Sequence, residues 1–162
     1  MNRAGETMSD ELTYQHTQTA PLCLLLYATA VIFVGLGWVL PDEPPIRWMF
    51  PVIGLLMLVV AASFHHLTVE DRDDVLAIRF GPVPLFRRTV RYADIQAVEV
   101  GRSLLLDGWG IHYSMRGGWV WNLWGQDCVV VRFRDGRTLR IGTDDAENLA
   151  AFLEAKTSGR GS

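Results

Sequence analysis

The sequence predicts a membrane α-helical hairpin followed by a mainly-β unit that one C-terminal helix closes. Three observations carry that expectation. Two apolar stretches, residues 21–40 and 48–64, contain no charged residue. From Leu67 onward the hydrophobic period changes from helical to two, in short runs separated by turn residues. Near the end a helical period returns behind an acidic cap. The chain therefore divides into a polar tail (1–20), a two-helix transmembrane hairpin (21–64), a β-rich unit (65–157) and a flexible tail (158–162).

The first stretch, Pro21 to Leu40, is long enough as a helix to match a hydrocarbon core of about 30 Å. The second, Trp48 to Phe64, spans roughly 26 Å, and Pro51 falls in its first turn, where a missing N–H costs little. Pro44 and Pro45 interrupt the helical run between them, and so short a link makes the two helices antiparallel. Trp38 and Trp48 flank the turn and read as interfacial anchors. Ala28 with Gly35, and Gly54 with Ala61, present small faces for close helix approach. The turn holds one Arg against Asp42 and Glu43, whereas Arg72, Arg79, Arg87, Arg88 and Arg91 follow the second helix. That asymmetry puts both termini of a multi-pass membrane protein in the cytoplasm.

Candidate strands are Leu67–Glu70, Val75–Phe80, Phe86–Tyr92, Ile95–Gly101, Ile111–Ser114 or Trp119–Leu123, Asp127–Arg134 and Arg137–Gly142. The last hairpin fixes its own register. A two-residue turn would set Val131 opposite Arg140, whereas a three-residue loop, Arg134-Asp135-Gly136, sets Val131 opposite Leu139 and Val129 opposite Ile141. Asp144 followed by Glu147 reads as a capping box, and Ala146, Leu149, Ala150 and Leu153 form an apolar stripe with Phe152 beside it.

Asp94-Ile95 leading into Val98-Glu99-Val100, the Gly108-Trp109-Gly110-Ile111 element, the run from Val129 through Arg134-Asp135-Gly136-Arg137, and Ile141-Gly142-Thr143-Asp144 before the helix resemble the pleckstrin-homology-like (PH-like) fold. The resemblance covers about residues 65–156 and extends to a bacterial group of small two-span membrane proteins, largely without assigned activity. It implies about seven antiparallel strands in a bent sandwich or barrel with a C-terminal capping helix, in a protein of the bacterial inner membrane.

Chemistry-bearing motifs are few. There is no P-loop, Gly-rich dinucleotide turn, CxxC or HExxH, so no enzymatic activity, catalytic residue, metal site or cofactor is predicted. The adjacent His65 and His66 point about 100° apart on a helix and make a poor chelate. Cys23 and Cys128 read as buried thiols with no disulfide. A net charge of −3 favours no nucleic-acid partner.

Two surfaces remain as candidates. Four of the six tryptophans lie between Trp109 and Trp124, and Trp119, Trp121 and Trp124 with His112 form a candidate interaction surface for a protein partner or for self-association. Trp109 reads as core, and Leu104-Leu105-Leu106 as either an interfacial contact or a buried run. Arg87 and Arg91 on one strand, with Arg132 and Arg140 on the last hairpin, are candidate contacts to anionic lipid beside the bilayer. PH domains that grip phosphoinositides place basic residues around their first hairpin, but Glu70-Asp71-Arg72-Asp73-Asp74 is mostly acidic. The function expected is a membrane-held interaction module, with a lipid-surface sensor or an accessory subunit of a membrane complex as alternatives.

Overall fold

In a computed structural model, residues 13–39, 44–83, 85–103, 110–114 and 117–159 are described. The elements run β1 (Gln15–Thr19), α1 (Leu22–Val39), α2 (Pro44–Ser63), β2 (His66–Arg72), β3 (Val75–Phe80), β4 (Arg87–Arg91), a 3₁₀ turn (Tyr92–Asp94), β5 (Ile95–Arg102), β6 (Gly110–Tyr113), β7 (Trp119–Asn122), β8 (Asp127–Phe133), β9 (Thr138–Gly142) and α3 (Ala146–Ser158).

The helices correct the membrane expectation. Among the described residues no helix is long and apolar enough to cross a membrane. Helix α1 has 18 residues, about 27 Å at 1.5 Å per residue. Helix α2 gives its first turn to Pro44, Pro45, Ile46 and Arg47, and the apolar part that starts at Trp48 reaches about 24 Å. The transmembrane hairpin, the multi-pass inner-membrane location and the cytoplasmic placing of both termini are overturned by this. The membrane-held module, the lipid-surface sensor and the accessory subunit were built on that anchor and are set aside with it. Trp38 and Trp48, 82% and 69% exposed at the turn end of the hairpin, lose their reading as interfacial anchors.

The two helices do pack against each other, and small residues set how closely. Cys23, Ala30 and Ala61 are buried, and a Cβ on Gly54 would fall 2.7 Å from a Val34 methyl and 2.8 Å from the Ala30 carbonyl oxygen. Gly54 and Ala61 therefore serve as the sequence suggests. On α1 the seam is Cys23, Ala30 and Gly37 rather than Ala28 and Gly35, which face outward.

The β-rich unit is likewise a correction to the expected seven-stranded antiparallel PH-like arrangement. The described residues form a mixed α/β fold of two sheets and three helices, with strand orders β1-β2-β3-β4 and β5-β8-β9-β7-β6. Strand β7 runs parallel to β9, while its other neighbour, β6, is antiparallel. Two physical causes account for the difference. Both Ile111 and Trp119 segments become strands, because Gly117 and Gly118 take positive φ and close the turn between them. The polar segment Gln15–Thr19 adds an edge strand to β2, with Thr17 opposite Thr68.

Between the sheets lie Leu67, Leu76, Ile78, Phe80, Val90 and Tyr92 from the first, and Val129, Val131, Leu139 and Ile141 from the second. Helix α3 lies on β5 and β8 and adds Leu149, Phe152 and Leu153 to the same core. The register of the last hairpin is as the apolar pattern requires, Val129 opposite Ile141 and Val131 opposite Leu139, with Gly136 at φ +82° in the loop. The helix cap differs. Asp145, not Asp144, holds the N-cap position, and its N–H donates to the Thr143 hydroxyl.

Candidate functional site

Strands β4 and β6 each end a sheet. On the β6–β7 hairpin Ile111 stands opposite Trp121 and Tyr113 opposite Trp119, so these four side chains share one face. Across from them the segment after β3 presents Leu85 and Phe86, 55% and 38% exposed, and leads into β4. A cleft of about 330 Å³ results, lined by Leu85, Phe86, Arg87, Arg88, Ile111, Trp119 and Trp121. Its wall is aromatic and aliphatic, and its charge comes from two guanidinium groups.

The sequence candidates divide on this geometry. Trp119 is 46% exposed and meets Tyr113 edge to face at 6.0 Å. Trp121 is buried at the base, tilted against Phe80 at 5.7 Å, and its indole Nε1 has no hydrogen-bond partner. Trp124 is half-buried against the core, and its carbonyl accepts from the Gln18 amide at 2.9 Å. His112 falls on the other face of β6, opposite Val120, with Nε2 buried and unpartnered. The cleft therefore unites Trp119 and Trp121 and leaves out Trp124 and His112. Trp109 and Leu104–Leu106 lie outside the described residues.

The four arginines also separate. Arg132 is paired with Glu99 at 3.1 Å, and Arg140 donates to the Gly117 carbonyl at 2.6 Å. Arg91 stands exposed opposite Val75. Arg87 alone of the four reaches the cleft, beside Arg88, which sequence reading had counted only toward membrane orientation. Burial, and then the nearby Arg137 charge, push Arg88 down from the ordinary guanidinium range. Leu85, Phe86 and Ile111 were also missed as site residues. The available signal was a pair of large apolar residues inside the Gly-Pro-rich loop from Gly81, where a turn ordinarily carries polar side chains.

A second arrangement joins the N-terminal segment to α3. The Tyr14 hydroxyl donates to Asp145 at 3.1 Å, its ring stacks on Phe152, and His16 meets Asp144. Burial first, and then the Asp145 carboxylate, hold the Tyr14 phenol well above its usual range. Asp71, with a side chain 5% exposed, receives Lys156 at 2.8 Å and the Tyr92 hydroxyl at 2.6 Å. These contacts are structural; they lie away from the residues that line the cleft.

Among the described residues no three His, Cys, Asp or Glu side chains gather to hold a metal. His65 and His66 meet ring to ring at 5.7 Å, edge on. The chain matches no known protein family, and no curated protein matches it.

Proposed function

We propose that this chain is a non-enzymatic protein-interaction module whose cleft between β4 and the β6–β7 hairpin receives an extended segment of a partner protein. The observation that carries the reading is the exposed apolar and aromatic wall, Leu85, Phe86 and Trp119, set beside Arg87 and Arg88. Large aromatic and arginine side chains supply contact area and directional charge at low conformational cost, which is why they dominate binding surfaces. Two sheet edges flank the cleft. An extended segment can pair with such an edge through its backbone while its alternate side chains enter the cleft. A ligand with an aromatic or aliphatic residue next to an acidic one satisfies both the wall and the guanidinium groups.

The test is selection of a displayed library of random peptides on the full-length chain. The reading expects enriched peptides that combine an apolar residue with Asp or Glu. Trp119→Ala should weaken them about 30-fold, the effect of losing one interfacial tryptophan. Trp38→Ala, on the exposed end of the hairpin, should leave them unchanged. Equal binding to Trp119→Ala, loss on Trp38→Ala instead, or no enrichment at all would each overturn it.

A further inference from the structure

On the face of the first sheet turned away from the core, β2, β3 and β4 gather positive charge. Arg79 stands directly opposite Arg87 in the β3–β4 register, and Thr68 and Ala77 place Arg79 and Glu70 on the same face. Like charges on directly opposed strand positions repel, so this pairing costs stability unless something neutralises it. Glu70 is the counter-charge present, and it is shared: Arg72 approaches it at 3.3 Å and Arg79 at 3.4 Å. Among the described residues no carboxylate pairs with Arg87. The arginines enclose a groove of about 550 Å³ lined by Arg72, Arg79, Arg87 and Arg88 with Ala77, Ile78 and Thr89. Ala77 at the floor is 8% exposed, so the guanidinium stems stand over a partly dry surface that strengthens their field.

From this we infer that the groove across β2, β3 and β4 binds a dianionic phosphoryl group. Arginine is the side chain suited to it: a planar fork gives two parallel N–H donors to two oxygens of one phosphoryl group, and the charge persists at any physiological pH. Arg72, Arg79 and Arg87 share their sheet face with one carboxylate, Glu70, and that excess calls for a ligand carrying about two negative charges. The Thr89 hydroxyl offers a further donor within the lining. The groove shares Arg87 and Arg88 with the partner cleft, whereas Arg72 and Arg79 belong to the groove and not to the cleft, so Arg79 separates the two sites.

Titration calorimetry of the full chain with pyrophosphate tests it. Saturable binding that weakens about 10-fold or more in Arg79→Gln/Arg87→Gln is expected, because two charge-assisted bidentate contacts are removed. Arg102→Gln/Arg132→Gln, which removes the same charge from the second sheet, should change affinity less than about 2-fold. Arg79→Lys/Arg87→Lys keeps the charge without the fork and should lose about 3- to 5-fold. If the double glutamine variant fails to fold, Arg79→Gln alone serves, with a smaller loss expected. No saturable binding, or equal weakening by the two charge-matched pairs, overturns the site. Co-sedimentation with phosphatidylcholine vesicles, with and without phosphatidate, distinguishes a headgroup source from a soluble phosphoryl ligand.

Discussion

The hairpin and the β-rich unit place their large apolar side chains on opposite sides. In the β-rich unit Tyr92, Phe80, Leu139 and Leu149 are buried and, Asp71 apart, the charges lie toward the outside. In the hairpin the seam holds Ala30, Ala61 and Gly54, while Leu24, Leu25, Val31 and Ile32 on α1 and Leu55 and Leu56 on α2 are exposed, most of them by about three-fifths. The exposed positions on α1 recur at helical spacing, so they form one continuous outward face. A unit that carries its own core gains little from a neighbour. Among the described residues nothing covers this apolar face. The difference teaches that the two regions respond to mutation by different rules.

The largest expected effect breaks the comparison at its strongest point. Leu149→Ala empties a fully buried position on α3 and should cost about 3 kcal/mol, read by denaturant unfolding. Leu55→Ala removes the same atoms from a side chain 58% exposed on α2 and should change stability by less than about 0.5 kcal/mol. If Leu55→Ala proved as costly as Leu149→Ala, the outward face would be covered within the chain itself.

Much of the β-rich unit was legible in the residues. The alternation of Val129, Val131, Leu139 and Ile141 allowed one register, because a slip by one residue would send all four to the other face. Ala146, Leu149, Ala150 and Leu153 repeat at the period of a helix, and all are buried. Strand β1 was not legible, since Gln-His-Thr-Gln-Thr has no apolar alternation. Backbone pairing to β2 and the anchoring of Tyr14 on Asp145 and Phe152 define it, and those partners are far away in sequence. The cleft was half legible. Trp119 and Trp121 could be placed on one face, but their meeting with Leu85 and Phe86 depends on how the two sheets fold together. The start of the second helix was not legible: α2 begins at Pro44, four residues before the apolar run, because prolines that would break a helix interior fit its first turn.

A middle-sized effect sharpens the account of the β-rich unit. Asp71 is nearly enclosed, and Lys156, the only lysine, reaches it from α3 while lying over the Tyr92 and Phe152 rings at 5.9 and 5.5 Å. Lys156→Ala leaves that carboxylate with the Tyr92 hydroxyl and should cost about 2 kcal/mol, discounted from a fully buried pair because the lysine is partly exposed. Lys156→Met with Asp71→Leu should recover about half of that loss or more, since apolar replacement of a buried pair is often neutral. A double-mutant cycle measures this. A double variant as unstable as the sum of its parts would show that the two groups act independently.

The smallest effect lies at the junction of the two regions. His66 opens β2 immediately after the hairpin, and its backbone carbonyl accepts from Gly81 at 2.6 Å. Burial, then the neighbouring His65, then Arg79 push its imidazole below the ordinary value of 6.5. The unfolded chain therefore binds a proton at His66 more readily than the folded one does. Its contribution is present above pH of about 6.5, the unfolded value, and is lost as pH falls through that value toward the folded one. Thermal unfolding of the full chain at pH 8 and pH 5.5 should show a larger acid loss in the wild type than in His66→Gln, whose side chain does not titrate. Because the two chains share every other titrating group, the difference reports His66 together with its coupling to His65. An identical acid loss in both would mean that protonated His66 is accommodated at the junction, and that the hairpin and the sheet meet there less closely than the Gly81 contact implies.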